Sequence, residues 1–238
     1  MITLAALDIA GTTIDEGGAV YRVLAEVVAE HGTPAADAEI RHWMGADKRA
    51  ALAALTGDPH AVEALHARFA ERLQAAYAEH RPTPIPGVPE ALERLRAAGV
   101  RVVLTTGFDH AVTDPLLTSV GWRIGDHLDG VVCAEDVTEG RPAPRMIHEA
   151  MRLTGVTDPA QVLAAGDTVL DIKAGLAAGA GIVAGVLTGA QTADELWAAG
   201  ATHILAGVHD LPTVLGEHGA LTPKAHHPAS RRGPSTTG

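Results

Sequence analysis

Short apolar runs alternate with helical patterns through the second half of this 238-residue chain. Each run is nearly continuously hydrophobic and ends at a turn signal, which is typical of a strand buried on both faces. Strands of this kind, separated by helices, form parallel sheets that helices cover on both sides. The sequence therefore predicts an α/β fold. The runs are VRVVLTTG (100–107), DGVVCAE (129–135), AQVLAAGD (160–167), AGIVAGVL (180–187) and THILAGV (202–208).

A further apolar run opens the chain at residues 4–7, and it is closed by Asp8 and followed by Gly11 and Thr12. A carboxylate at the end of a buried strand is costly unless it meets a partner, a metal or solvent. The carboxyl ends of parallel strands are also where ligands bind in open α/β sheets. Asp8 is therefore either a capping residue for the next helix or a catalytic group at the edge of the sheet.

Between this first strand and the rest lies a block with helical periodicity and no strand pattern. Its segments have apolar residues at a spacing near 3.6, and a proline-rich stretch at 81–89 follows that reads as a linker. We predict a core formed by residues 1–14 and 86–221, a helical cap with linkers at 15–85, and a disordered tail at 222–238. The helical segments are AVYRVLAEVVAEHG (19–32), DAEIRHWMGADKRAALAALTG (37–57) and PHAVEALHARFAERLQAAYAEH (59–80).

The composition limits the partners that the chain could have. A net charge of -11 argues against nucleic acid and against an anionic membrane surface. The single cysteine, Cys133, excludes an internal disulfide and a thiolate cluster, and its apolar neighbours favour a small core residue. No apolar run approaches the ~18 residues of a membrane span, and no signal peptide is evident, so we expect a cytoplasmic protein. The oligomeric state stays open, with a homodimer as one option.

Polar residues of complementary chemistry follow four of the predicted strands: Asp8, Thr106, Arg141, Asp167 and, four residues on, Asp171. Each has an ordinary structural interpretation, as a turn residue, a surface charge, a helix cap or an exposed helical residue. Carboxylates that converge at one sheet edge would repel unless a hard cation lies between them, and Mg²⁺ suits such ligands. An arginine and a hydroxyl beside it could neutralise and bind a phosphoryl group, and a carboxylate facing that group is a plausible nucleophile.

The segments DIAGTTID, TTG, GRP and GDTVLD resemble, in order and spacing, the four motifs of the haloacid dehalogenase superfamily. The resemblance covers about residues 4–215. It implies a Rossmann-like core, an inserted helical cap, Mg²⁺ and an aspartyl-phosphate intermediate. It makes Asp8 the nucleophile and a metal ligand, Asp167 a metal ligand, and Thr106 and Arg141 the phosphate binders. Asp171 would orient the metal ligands.

One departure from the superfamily pattern is Ala10, which stands where its phosphatases carry an acid–base aspartate. Ala10 can offer its backbone carbonyl to Mg²⁺ but cannot transfer a proton. Alanine at this position is similar to the phosphonatase branch, whose D-x-A-G-T-T-x-D motif matches from Asp8 to Asp15. That branch uses a cap lysine as a Schiff base, and an M-G-x-x-K segment occurs here with Lys48 as its lysine.

The resemblance therefore implies a hydrolase that cleaves the P–C bond of phosphonoacetaldehyde or a related phosphonate, with Lys48 forming an imine. The alternatives are a salt-bridged lysine at a helix start, or an ammonium that binds a second anion of a phosphomonoester in an ordinary phosphatase. A non-enzymatic binding module would leave the acidic and basic residues at the strand ends unexplained. Residues assigned to substrate binding are Thr12, Met44, Gly45 and Gly107.

Two further departures concern the phosphonatase branch itself. Ala51 stands where that branch has a cap histidine, and Gly18 replaces a cysteine near the site. Together they suggest a relative whose phosphonate or phosphate-bearing substrate differs. His42, next to Trp43, could act as a replacement base, although the sequence favours a packed or solvent-facing histidine.

Overall fold

A six-stranded parallel sheet forms the centre of the computed structural model, which describes residues 1–32 and 34–217. Its strand order is β5-β4-β1-β6-β7-β8, so the first strand lies in the middle between two later ones. The predicted α/β fold with a parallel sheet is confirmed. The strands are β1 (Leu4–Asp8), β4 (Arg101–Thr105), β5 (Gly130–Val132), β6 (Val162–Gly166), β7 (Ile182–Val186) and β8 (His203–Leu205), while β2 (Ile14–Asp15) and β3 (Thr83–Pro84) form a separate ribbon.

Helices cover both faces of the sheet because successive residues of a strand point to opposite sides. Leu4 and Ala6 pack into one apolar cluster with Met146, whereas Ala5 and Leu7 pack into the other with Leu95. Burial on both faces explains why the strands are nearly continuous apolar runs. The helices that follow β3 in the chain are α5 (Val88–Ala97), α6 (His110–Ser119), α7 (Arg145–Thr154), α8 (Val169–Ala177), α9 (Ala193–Ala198) and α10 (Leu211–Glu217).

Four helices between β2 and β3, at residues 19–79, form what we call the helical insertion. They are α1 (Ala19–His31), α2 (Asp37–His42), α3 (Lys48–Thr56) and α4 (Val62–Glu79). The two chain segments that lead into and out of the insertion pair as a short antiparallel ribbon, with Ile14 opposite Pro84 and Asp15 opposite Thr83. Both connections therefore run side by side, next to the end of β1.

The prediction of one helical segment at 37–57 is wrong, because the structure has two helices there, one ending at His42 and the next beginning at Lys48. Gly45 has φ of +80°, a left-handed conformation that favours glycine. Asp47 then caps the next helix, accepting a hydrogen bond from the backbone N–H of Ala50 at 2.7 Å. The helical periodicity continues across the break, which is why the pattern alone does not reveal it.

The proline-rich linker is shorter than predicted. α5 begins at Val88, and Pro89 lies in its first turn. Backbone N–H groups of the first turn make no hydrogen bond within a helix, so a proline is tolerated there. Cys133 is fully buried, as the sequence predicts, and follows the end of β5. The tail predicted at 222–238 lies outside the described residues. Among the helices that the structure describes, none has the length and apolarity that a membrane crossing requires.

Candidate active site

The carboxyl ends of three neighbouring strands carry the predicted site residues. Asp8 is the last residue of β1, Thr106 follows β4 and Asp167 follows β6, and β1 pairs with both of the other strands. Arg141 and Asp171 reach the same edge from the loop after β5 and from the first turn of α8. The parallel register therefore brings together side chains that are far apart in sequence.

Three carboxylates form the centre of the site. One oxygen atom from each of Asp8, Asp167 and Asp171 lies within 4.8 Å of the other two, and all three residues are buried. Burial, together with the charges of its two neighbours, raises the pKa of Asp167. Burial also raises the pKa of Asp171, against the opposing effect of Arg141. Buried oxygen ligands that repel one another are a donor set that fits a hard divalent cation.

Arg141 joins the nucleophile candidate to the third carboxylate. Its Nη1 lies 2.7 Å from Asp8 Oδ1, and its Nε lies 2.9 Å from Asp171 Oδ1. Its Nη2 donates to the backbone carbonyl and the hydroxyl of Thr105 at 2.9 and 2.7 Å. The two carboxylates hold the pKa of the guanidinium above its usual range despite burial. Arg141 therefore offsets part of the negative charge of the buried site.

The remaining carboxylate contacts fix the orientation of the acids. Asp167 accepts hydrogen bonds from the Thr12 hydroxyl at 3.1 Å and from the Ala190 N–H at 2.7 Å. Asp171 accepts from the backbone N–H and the hydroxyl of Thr168, in a capping box at the start of α8. The Thr12 hydroxyl thus contacts an acid of the site.

The segment between α2 and α3 of the helical insertion reaches the sheet edge with its backbone. The carbonyl oxygen of Gly45 lies 3.4 Å from Arg141 Nη1. A Cβ atom on Gly45 would lie 2.5 Å from Thr168 Oγ1, and one on Gly107 would lie 2.4 Å from the carbonyl oxygen of Ala46. Only glycine permits this close approach of the insertion to the core.

Lys48, the first residue of α3, is buried beside the carboxylates. Its Nζ donates to the carbonyl oxygen of Ala46 at 2.8 Å and lies 5.4 Å from the centre of the Phe108 ring. Burial lowers the pKa of Lys48 to about 8, although Asp47 and Asp8 act in the opposite direction. Within the described ranges Lys48 forms no ion pair, so the salt-bridge alternative is not what the structure contains.

A small cavity of about 20 Å³ lies between the insertion and the sheet edge. A cavity of this size holds about one water molecule. Thr12 and Met44 are not among its lining residues in the described part of the chain. The residues that line it are Asp8, Ala10, Val20, Tyr21, Gly45, Lys48, Thr106, Gly107, Phe108, Arg141 and Thr168.

Sequence reasoning missed Tyr21 and Phe108, which both line the cavity. Phe108 follows the TTG segment directly, so its place in that loop was a usable signal. Tyr21 carries no such signal, because it reads as one more residue of a helical pattern. His42 is exposed and packs edge-on against the Trp43 ring, with centroids 5.7 Å apart, which is the ordinary role that the sequence favours.

Comparison with known proteins places the chain among hydrolases. Residues 2–179 match the sequence model of a family of haloacid dehalogenase-like hydrolases. The chain is 30% identical to a phosphonoacetaldehyde hydrolase of Latilactobacillus sakei, over 79% of this chain and 84% of that one. It is 32% identical to a phosphonoacetaldehyde hydrolase of Bacteroides fragilis, but this match spans 56% of this chain and only 58% of the length of that relative.

The fold has a close counterpart among solved structures. A phosphonoacetaldehyde hydrolase-like protein from Oleispira antarctica superposes with a TM-score of 0.78 at 25% sequence identity, over 91% of both chains. Because the superposition covers 91% of this chain, it includes most of the helical insertion as well as the sheet.

Proposed function

The chain belongs to the haloacid dehalogenase-like hydrolase family, in the branch related to phosphonoacetaldehyde hydrolase, and on that premise we propose that it cleaves the carbon–phosphorus bond of phosphonoacetaldehyde or a related phosphonate. One observation carries the proposal. The amine of Lys48 is buried in the cavity that also contains Asp8, with its pKa lowered to about 8 and no ion pair among the described residues. An amine in that state is available to attack an aldehyde.

The site residues fit Mg²⁺, which Asp8, Asp167 and the backbone carbonyl of Ala10 would hold, with Asp171 orienting the ligands through its contact with Arg141. When bound, the ion would polarise the phosphoryl group and offset its charge. Thr12 would keep the Asp167 carboxylate in position through its hydroxyl, a positioning role rather than a substrate contact.

The chain's own residues account for the remaining chemistry. The Lys48 amine adds to the aldehyde carbon, and loss of water gives a protonated imine. A carboxylate oxygen of Asp8 attacks phosphorus, the carbon–phosphorus bond breaks, and its electron pair moves into the imine to give an enamine. The enamine takes a proton from water at its terminal carbon and becomes an imine again, and addition of water to this imine releases acetaldehyde and the Lys48 amine. A separate water molecule hydrolyses the aspartyl phosphate, which releases phosphate and restores the Asp8 carboxylate. No alkoxide leaves, so the absence of an acid at Ala10 is compatible with this route.

During this sequence Arg141 and Thr106 would bind the phosphoryl oxygens, and Gly45 and Gly107 would bring backbone close to the substrate. Met44 is half-buried and outside the lining, so we assign it a supporting role for the neighbouring Gly45. The helical insertion would act as the cap, closing over the sheet edge once the substrate has entered.

A second candidate is hydrolysis of a small phosphomonoester, with Lys48 binding an anionic group of the substrate. It is favoured by the same pKa, because an amine with a pKa of about 8 is still mostly an ammonium at neutral pH. Ala51, which stands where the phosphonatase branch has a cap histidine, is fully buried in α3 and cannot transfer a proton, and this departure from that branch also favours the second candidate. Ala10 argues against this candidate, because an alkoxide leaving group needs an acid.

The test is phosphate release from phosphonoacetaldehyde, compared with release from a panel of phosphate monoesters, in the presence of MgCl₂. We expect turnover of the phosphonate, and we expect Asp8→Asn to abolish it while the unfolding temperature stays close to that of the wild type. Turnover of several monoesters with none of the phosphonate would favour the second candidate. Appreciable activity of Asp8→Asn would exclude both.

A further inference from the structure

Tyr21 is the one tyrosine among the described residues that line the cavity, and it belongs to the helical insertion. It lies in the first turn of α1, shortly after the ribbon that joins the insertion to the sheet. The residue is half-buried, and its hydroxyl has no hydrogen-bond partner among residues 1–32 and 34–217. A phenol in a polar cavity usually finds such a partner, so the group is available to a ligand.

Most other side-chain donors of the cavity already have partners. Arg141 contacts Asp8, Asp171 and Thr105, and the Thr168 hydroxyl donates to Asp171. The Lys48 amine donates to the carbonyl oxygen of Ala46, and in the proposed function it reacts with the aldehyde carbon.

Two hydroxyls of lining residues donate to no acceptor within the described part of the chain, and they belong to Thr106 and Tyr21. The oxygen of Thr106 accepts from the Phe108 N–H at 3.2 Å, which leaves its proton for a ligand. A phosphoryl group at Asp8 would present several oxygens that accept hydrogen bonds, more than one hydroxyl can satisfy.

We propose that the Tyr21 hydroxyl donates a hydrogen bond to an oxygen of the phosphoryl group at Asp8, which makes it a substrate-contacting residue supplied by the insertion. This inference rests on the proposed function and adds a specificity-determining contact to it. Because the donor belongs to the insertion, the contact forms only when the insertion lies against the sheet edge. Binding of the phosphoryl group and closure of the site are thereby coupled.

The electrostatics of the cavity agree with this role. Burial, followed by the charges of Asp167, Asp8 and Asp171, raises the pKa of Tyr21 well above its usual value. The phenol therefore keeps its proton and acts as a donor. Asp8, the residue at which the phosphoryl group would bind, lines the same cavity as Tyr21.

The test is calorimetric titration of the full chain with inorganic phosphate in MgCl₂, comparing wild type with Tyr21→Phe. Phenylalanine keeps the ring and removes only the donor. A hydrogen bond to a charged group corresponds to a loss of about 10- to 100-fold in phosphate affinity. The KM for the substrate should rise with it, while the unfolding temperature should stay close to that of the wild type.

Tyr77→Phe is the matched control. Tyr77 lies on α4 of the same insertion, and its buried hydroxyl has no hydrogen-bond partner, but it lines a different groove. We expect this variant to bind phosphate like the wild type. The proposal is overturned if Tyr21→Phe binds phosphate within about two-fold of the wild type, a difference smaller than one hydrogen bond to a charged group gives. It is also overturned if Tyr77→Phe loses as much affinity, or if the wild type binds no phosphate.

These outcomes separate this proposal from the proposed function. Carbon–phosphorus cleavage by the wild type, with normal phosphate binding by Tyr21→Phe, would refute the Tyr21 contact alone. Weakened phosphate binding by Tyr21→Phe, in a protein that releases no phosphate from phosphonoacetaldehyde, would refute the proposed substrate and leave the phosphoryl contact standing.

Discussion

Arg141 Nη1 lies 2.7 Å from Oδ1 of Asp8, so the group assigned to phosphate binding forms an ion pair with the proposed nucleophile. The same guanidinium reaches Asp171 on the other side. Arg141 therefore offsets part of the negative charge of the three buried carboxylates by pairing with two of them. Arg141 thus has two roles, since it pairs with buried carboxylates in the folded protein and is also the proposed phosphate-binding group.

Arg141→Met should destabilise the protein, because it leaves buried carboxylates without a counter-charge. Removing one partner of a buried pair typically costs about 3–5 kcal/mol. We expect MgCl₂ to restore more stability to this variant than it adds to the wild type, since the cation can replace the lost charge. Urea unfolding with and without MgCl₂ measures both. Arg152→Met, which removes an exposed pair with Glu149, should behave like the wild type in both conditions.

Lys48 variants distinguish an imine from a simple anion-binding ammonium. If Lys48 forms an imine, borohydride added with the aldehyde substrate should trap a covalent adduct on the peptide containing it, detectable by mass spectrometry. Lys48→Arg should then lose as much activity as Lys48→Ala, because a guanidinium keeps the charge but is not a usable nucleophile. Substantial activity in Lys48→Arg, together with no trapped adduct, would contradict the imine.

Gly107→Ala should impair activity without unfolding the core. Its Cβ would lie 2.4 Å from the carbonyl oxygen of Ala46, so the insertion could not approach the sheet edge as it does in the wild type. We expect kcat to fall by at least about 10-fold, as misplacing residues around a reacting centre does. Gly216→Ala is the control, because a Cβ there would meet nothing within 4 Å. Equal kinetics for the two variants would show that activity does not depend on the close approach of Gly107 to the Ala46 carbonyl.

His66 should make stability depend on pH. It is buried on α4, with Nε2 3.5 Å from Asp109 Oδ2, an oxygen that Arg49 also approaches at 3.4 Å. Burial, and then the charge of Arg49, lowers the pKa of His66 below its ordinary 6.5. The unfolded chain therefore binds the proton more readily, and this contribution to stability is lost as the pH falls below about 6.5.

Comparison of wild type with His66→Gln by urea unfolding at about pH 7.5 and about pH 5 isolates that contribution. The wild type should lose more stability than the variant on acidification. His42→Gln, which alters an exposed histidine, should follow the wild type at both values. An identical pH response in His66→Gln and the wild type would exclude His66 as the source.

The sheet and its acidic edge were predictable because both depend on local signals. Buried parallel strands are continuous apolar runs, and their carboxyl ends meet at one edge of the sheet. Asp8, Thr106 and Asp167 follow strands that are neighbours in the sheet, so they converge there. Arg141 comes from a loop, and only its chemical complementarity to the acids connected it to them.

The parts that were not predictable depend on closure of the insertion over the sheet. The break at 43–47 follows from a left-handed Gly45 and a capping Asp47, yet the apolar spacing continues across it. Tyr21 looks like an ordinary helical residue until α1 is placed against the acids. Contacts between segments that are distant in the sequence leave no periodic trace in it.

The ribbon of β2 and β3 has an evolutionary consequence. Since Ile14 pairs with Pro84 and Asp15 with Thr83, the chain leaves the sheet and returns to it at adjacent points. A segment anchored in this way can be lengthened, shortened or exchanged between relatives without cutting any strand that carries an acid. Substitutions in the insertion, which carries Tyr21 and Lys48, would then alter the cavity wall that faces the acids. The strand that ends in Asp8 and the strand that precedes Asp167 would keep their pairing.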